Sequence, residues 1–316
     1  MTTIVQNMRG VRRAARHVAL TGLSAWDRCS FRAEPSANRV HILLLHHVFA
    51  DEVGAFRRLL ESLREAYAFV AYSDAVSRIL ENRIDGAYLA ISFDDGLKCC
   101  RQAAEVLDEF GARACFLICP PIVGETDAHI VARFCRERLR HPPLEFLDWN
   151  DIDELLDRGH EIGGHTMRHI NLNQTELTAA QDEIAETHVD LCARIGAATH
   201  FAWPYGRFAD MNRAAARAVF AAGFHSCASG VRGCHGPSSL QAASEPFDQR
   251  QLCLRRESIE VAWPLSHVNY FLRKSARRPL TVGETWPAAL QPVPLPDSNI
   301  PCTLPSTRSP SSRAAA

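Results

Sequence analysis

The chain has 316 residues, 47% of them hydrophobic, and 35 basic side chains against 36 acidic ones. This is ample apolar material for a large α/β domain, and the balanced charge gives no ground for a nucleic-acid partner or a strongly acidic one. The eleven cysteines are odd in number and include no Cys-x-x-Cys pair, which fits reduced thiols better than a disulfide framework. Cys115 and Cys119 read as small buried hydrophobes.

Arginines come early, but the apolar stretch from His17 to Leu23 is interrupted by Thr21 and Gly22. It is too short for a signal sequence or a bilayer span, so a cytoplasmic chain is expected. A helix over Met8 to Val18 would align Met8, Val11, Ala15 and Val18 opposite Arg9, Arg12, Arg13 and Arg16, a pattern suited to peripheral contact with an anionic membrane. A solvated basic leader is the competing reading.

Alternating elements follow. His41 to Leu45 reads as a strand and about Val53 to Tyr67 as a helix; then come a strand at Tyr88 to Phe93, a helix at about Cys99 to Phe110 stopped by Gly111, and a strand at Ala114 to Cys119. Pro120 to His141 is an excursion, followed by a helix at about Asn150 to Arg158 and a strand at His160 to Gly164. Thr175 opens the clearest helix, with Leu177, Ala180, Ile184, His188, Leu191 and Ile195 on one face and Gly196 at its end. A short strand at Phe201 to Trp203, a helix at about Met211 to Ala222 and a strand at Phe224 to Ala228 complete the pattern. Repeated β-then-α units imply parallel strands. Beyond about Lys274 the composition turns to Pro, Ser, Thr and Arg, as in an unstructured tail.

Three segments carry candidate chemistry. Asp94-Asp95-Gly96 follows an apolar strand, and two adjacent carboxylates are relieved of their repulsion if one binds a metal while the other acts on water; taken alone, it is equally an ordinary turn. His165 and His169 are four apart, which on a helical turn would present both imidazoles to one ion, although such a pair also occurs by chance among 14 histidines. Gly163-Gly164 before them allows a close backbone approach. Two imidazoles and one carboxylate form an open, catalytic type of set that accepts zinc, iron, cobalt, nickel or manganese, with zinc the expected ion. Trp203-Pro204-Tyr205-Gly206 is either a structural turn or a place where the Tyr205 N–H serves an oxyanion.

Together and in this order, Ser92-Phe93-Asp94-Asp95-Gly96, His165-Thr-x-x-His169 and Trp203-Pro204-Tyr205-Gly206 resemble the polysaccharide deacetylase family, the NodB-homology carbohydrate esterases. The resemblance extends over about Val40 to Arg256 and includes Leu45-His46 and Gly159-His160-Glu161-Ile162-Gly163. It implies a distorted (β/α) barrel and metal-dependent hydrolysis of an acyl group, usually acetyl, from a sugar. By position in these motifs, Asp94 would be the base, Asp95, His165 and His169 the ligands of one divalent metal, and Tyr205 the oxyanion donor, with His46, Trp203 and Pro204 facing the substrate.

Two departures stand out. Ala202 occupies a position where many relatives have an arginine that orients the base; Leu254-Arg255-Arg256 offers a substitute, with Arg256 the expected residue. The family's late Leu-x-His, source of its general acid, has no match: His267 is nearest by chain order, and His46, His225 and His235 are the other candidates. The expected organization is a leader over 1–38, a deacetylase-like catalytic domain over 39–273 and a tail over 274–316. The expected partner is an acylated carbohydrate, in a polysaccharide or a glycan precursor. A deacylase of lipid-linked or nucleotide-linked sugars and a non-catalytic metal- or sugar-binding homologue are the alternatives.

Overall fold

The computed structural model describes residues 16–27, 29, 36–238 and 251–292. Its centre is a sheet of strands β1 (Arg39–Leu45), β2 (Ala68–Phe69), β3 (Ala87–Asp94), β4 (Ala114–Ile118), β5 (Glu161–Gly164), β6 (His200–Ala202), β7 (Ser226–Ala228), β8 (Leu252–Leu254) and β9 (Glu257–Ser258). The order is β8-β7-β6-β5-β4-β3-β1-β9, with β2 also on β3. Every pair is parallel. The two ends of this path are neighbours in the chain, joined by Arg255 and Arg256 alone, so the sheet must curl until its edges meet. The result is the expected distorted (β/α) barrel.

Period-two alternation sorts the side chains. Leu43, Leu89, Ile91, Phe93 and Phe116 point outward into the main core beneath the helices, with Phe93 stacked on Phe116 at 5.1 Å. Val40, Ile42, Ala90, Cys115, Leu117, Ala202, Ala228 and Leu254 form a second cluster, filled by Tyr72, Ala75, Val76, Ile79 and Leu80. These last five belong to α3 (Tyr72–Leu80), which plugs the barrel. On β3 the inward set continues as Ser92 and Asp94, so the periodicity that builds the core also delivers Asp94 to the interior at the strand's C-terminal end.

The helices on the outer side include α2 (Val53–Arg64), α4 (Cys100–Glu109), α6 (Trp149–Asp157), α7 (Leu177–Ile195) and α8 (Arg213–Ala221). Gly196 ends α7 with φ +84°, a conformation glycine adopts without penalty. The face that α7 buries is Ala180, Glu183, Ile184, Thr187 and Leu191, while Leu177 is exposed. The core stripe is therefore rotated from the expected one, because Glu183 and Thr187 are buried through polar contacts that an apolar count overlooks. The excursion after β4 folds into α5 (Ala128–Phe134) and a π-helical turn, Cys135–Leu139.

Both expected termini differ from what is observed. Residues 16–27 form a helix, α1, docked on α9 (Leu265–Ala276). Ser24 Oγ donates to the Ser266 carbonyl (2.9 Å) and Arg277 Nη1 to Asp27 Oδ1 (2.6 Å), while the Arg16 guanidinium lies 4.2 Å from the Trp263 ring centre. Met8 to Ala15 of the expected stripe lie outside the described residues. The tail expected from residue 274 begins inside α9, and the fold continues through Trp286, which is buried on Trp203; 293–316 lie outside the described residues. Among the described residues, no helix is long and apolar enough to cross a membrane.

Candidate active site

All three motifs and Arg256 meet at the C-terminal ends of the strands, where the open end of an α/β barrel exposes backbone and loops. Asp94 ends β3 and Asp95 follows; His165 follows β5; Trp203 to Gly206 follow β6; Arg256 lies between β8 and β9. Among the described residues, six other than glycine have left-handed backbone, and four of them are here: Asp95 (φ +76°), Thr166 (+62°), His169 (+50°) and Tyr205 (+64°). Such conformations cost about 1–3 kcal/mol each and persist only where the surroundings impose them.

The histidine pair does not lie on a helical turn. Residues 165–170 have no helix, and the left-handed Thr166 and His169 fold the segment back on itself so that both rings converge. Their centres are 5.0 Å apart. Glu183 on α7 holds this loop, accepting from the Arg168 backbone N–H at 2.9 Å and from its guanidinium. The preceding glycine is obligatory on steric grounds, because a Cβ on Gly163 would stand 2.5 Å from the His200 carbonyl oxygen.

Asp95, His165 and His169 are buried, and one ligand atom from each lies within 4.8 Å of the others. Asp95 Oδ1 is 3.2 Å from His169 Nε2 and 3.5 Å from His165 Nε2, yet has no aligned hydrogen-bond donor among the described residues. A buried carboxylate oxygen in that position costs energy unless a cation completes it. His165 Nδ1 lies 2.8 Å from the Ala202 carbonyl; donating its proton there leaves Nε2 bare to face Asp95, as a metal ligand requires. The residues present thus fit one divalent ion. Burial pushes the Asp95 carboxyl up, but both imidazoles outweigh it and hold it well below the usual carboxylate range. Burial pushes His165 down, but Asp94 and Asp95 outweigh it and leave it raised, whereas at His169 burial wins.

Asp94 has a different partner. Arg256, fully buried, grips both carboxylate oxygens from Nη1 (2.7 Å) and Nη2 (2.8 Å). Its remaining bonds go to Ser92 Oγ at 3.2 Å and the Ser229 carbonyl at 2.9 Å. This fork is the strong, direction-setting form of an ion pair. Burial raises the Asp94 carboxyl, but Arg256, then His165, outweigh it, so it stays ionised. Arg256 thus reaches Asp94 from the joint of the barrel, between β8 and β9.

Tyr205 is 39% exposed; its ring lies edge-on to His169 at 5.0 Å, and its hydroxyl donates to the His169 carbonyl at 3.5 Å. Trp203 and Pro204 are buried rather than open to a substrate, and the Trp203 indole donates to the Arg207 carbonyl and stacks on Trp286. His46 is exposed at the end of β1, close enough to Asp94 and Asp95 to act electrostatically on both.

The other histidines sit among structural contacts. His267 is on α9 beside Thr21 of α1, 3.1 Å away. His235 is buried, its Nε2 accepting from the Arg255 backbone N–H, and His225 is bonded through its backbone to Thr199. Sequence reasoning missed Ser92, Glu183 and Phe134; Ser92 alone carried a signal, as the inward residue two before Asp94.

Residues 82–224 match the family model "Polysaccharide deacetylase". Residues 82–224 thus carry a polysaccharide deacetylase domain. The family's enzymes are hydrolases acting on carbon–nitrogen bonds other than peptide bonds. Among solved structures, the chain is similar to the deacetylase PplD of Streptococcus pyogenes (15% identity, TM-score 0.56, covering 74% of this chain and 98% of that one). It is also similar to IcaB of Ammonifex degensii (18%, 0.57, 78% and 100%) and to a polysaccharide deacetylase of Bacillus cereus (16%, 0.55, 75% and 69%). At these identities the likeness shows the shared barrel. No curated protein matches the sequence.

Proposed function

We propose that this protein hydrolyses the N-acetyl group of an amino sugar in a polysaccharide or glycan precursor, with one divalent metal, Zn²⁺ being the expected ion, held by Asp95, His165 and His169. The observation that carries this reading is the contrast between adjacent carboxylates: Asp95 faces two imidazoles with its buried Oδ1 free of any aligned donor among the described residues, while Asp94 is clamped by Arg256 and remains ionised.

When bound, the metal supplies Lewis-acid polarisation of the acyl carbonyl. Asp94 takes a proton from the attacking water, its lone pairs aimed by the Arg256 fork. The Tyr205 N–H, which has no acceptor among the described residues, donates to the carbonyl oxygen as it gains charge. As the carbon–nitrogen bond breaks, the leaving nitrogen must gain a proton; His46, exposed at the end of β1 and acting electrostatically on both aspartates, is the donor this reading assigns. Water and amide become acetate and an amine.

The test is acetate release from N-acetylated oligosaccharides by the purified protein, with and without chelator and added Zn²⁺ or Co²⁺. Release that chelator abolishes and metal restores supports the reading. Retention of one metal with no release from any acylated amino sugar favours a non-catalytic sugar-binding role.

A further inference from the structure

Helix α1 is amphipathic in the reverse sense. Against α9 it buries Leu20, Ser24 and Asp27, whose spacing of four and then three puts them on one side. Two of the three are polar and are satisfied there: Ser24 Oγ donates to the Ser266 carbonyl, and Asp27 meets Arg277 at 2.6 Å and Arg273 at 3.5 Å. Between Val18 and Trp26, by contrast, every exposed position is uncharged. Three of these positions carry large apolar side chains: Val18 is 71%, Leu23 41% and Trp26 55% exposed. Val18 and Trp26, about two turns apart, lie on the side away from α9. A surface helix ordinarily turns its apolar stripe to the core and its polar residues to water.

The charge around this helix has one sign. Residues 1–26 include arginines at 9, 12, 13 and 16 and no acid or lysine, and the first carboxylate, Asp27, is engaged by α9. The sequence continues the apolar spacing upstream of Val18 through Ala15, Val11 and Met8, interleaved with those arginines. Helices α1 and α9 run in the same direction: Arg16 meets Trp263, Thr21 meets His267, and Asp27 meets Arg273 and Arg277. Because α9 starts beyond β9, the basic end of α1 lies at the end of the barrel that carries the aspartates and the histidine pair.

We propose that the outer face of α1 seats in the headgroup layer of an anionic lipid bilayer, with the arginines at 9, 12, 13 and 16 against lipid phosphates. Tryptophan favours that layer, where an apolar ring and a polar N–H are both accommodated. Among the described residues no helix can cross a bilayer, so the contact is with one leaflet. A second copy of the chain fits the face poorly. Twelve helical residues are about 18 Å long and about 10 Å wide, roughly 180 Å² of surface, whereas a stable protein interface takes about 800 Å² from each partner. Self-pairing would also set one run of arginines against another. A lipid surface accepts a single apolar strip and supplies the opposite charge.

The test is sedimentation of the full-length protein with vesicles of phosphatidylcholine alone and of phosphatidylcholine mixed with phosphatidylglycerol. The mixed vesicles are expected to bind it at least about ten-fold more tightly, since each arginine near an anionic surface contributes about five-fold, and salt should erode the preference. Arg9→Gln/Arg12→Gln/Arg13→Gln, which spares the contact of Arg16 with Trp263, should remove most of it. Val18→Ser/Leu23→Ser, at exposed positions, should weaken binding to the mixed vesicles by about ten-fold or more without moving the thermal unfolding midpoint. Lipids brominated in their acyl chains should quench part of the tryptophan emission, and that part should vanish in Trp26→Phe. Failure to bind the mixed vesicles, a preference that the glutamine variant keeps, or binding that the serine variant keeps overturns the proposal. A dimer in analytical ultracentrifugation that the serine variant abolishes also overturns it, by assigning the face to a second copy.

Discussion

The two ends of the barrel each hold a carboxylate, a histidine and a serine, and they treat them in opposite ways. At the N-terminal end, Glu161, His200 and Ser226 open strands β5, β6 and β7, and Ser73 lies in the first turn of α3. Ser73 Oγ lies 2.5 Å from Glu161 Oε2 and 2.8 Å from His200 Nε2, while His200 Nδ1 lies 2.9 Å from Ser226 Oγ. The Ser73 backbone N–H also donates to Glu161 at 3.0 Å. No polar side-chain atom of these four residues is left over, and none of their backbones is left-handed. At the C-terminal end, Asp95 Oδ1 and His169 Nδ1 are buried without partners among the described residues, and four left-handed residues hold the loops. A satisfied cluster stabilises a fold; a strained, unsatisfied one is held in readiness for something that is not protein.

The sharpest way to break this comparison is to substitute the unsatisfied end. Asp95→Ala or His165→Ala is expected to abolish metal binding and turnover together, measured by metal content and acetate release. Asp94→Asn is expected to keep the metal and lose about 10²–10⁴-fold in kcat, the range for removal of a general base. Arg256→Ala leaves the Asp94 charge buried and unpaired, which costs about 3–5 kcal/mol of folding free energy in denaturant titration; Arg256→Lys keeps the charge without the fork and falls between it and the native protein.

At the satisfied end, Ser226→Ala removes one partner of His200 and is expected to cost about 1–3 kcal/mol. It should leave kcat/KM of the folded protein near the native value, and a large catalytic loss there would erase the distinction between the ends.

Acid gives the smallest effect at first. His41 and His235, buried side by side, are pushed down to about 3 and about 4 by desolvation, and His160 is likewise near 4. They stay neutral when folded but accept protons when unfolded, below about pH 6.5. Stability is therefore full above that pH and declines as pH falls from about 6.5 towards 4. His235→Gln should flatten this slope in urea titrations at stepped pH.

Much of this was legible in the sequence. The strands at His41 to Leu45, Tyr88 to Phe93 and Ala114 to Cys119 are apolar runs bounded by breakers, and the motifs sit at strand ends because parallel strands put loops there. Arg256 was visible as the stand-in for an arginine at Ala202, but its geometry was not: it stands 162 positions from Asp94, and only the curling that joins β8 to β9 brings them together. The helical reading of His165 to His169 failed because spacing cannot reveal a backbone forced left-handed by its neighbours. Trp203, an aromatic in a motif, reads as substrate-facing until Trp286 is seen stacked on it. Helices α3 and α9 went unread because one plugs a barrel and the other faces a helix from the far terminus, and neither partner lies nearby in the chain.

The most direct test of the central claim is to compare metal content and acetate release across native protein, Asp94→Asn and Asp95→Ala. Adjacent carboxylates with separate duties predict one bound metal and turnover in the native protein, metal without turnover in Asp94→Asn, and neither in Asp95→Ala. An Asp94→Asn protein that turns over at the native rate, or an Asp95→Ala protein that keeps its metal, would contradict it.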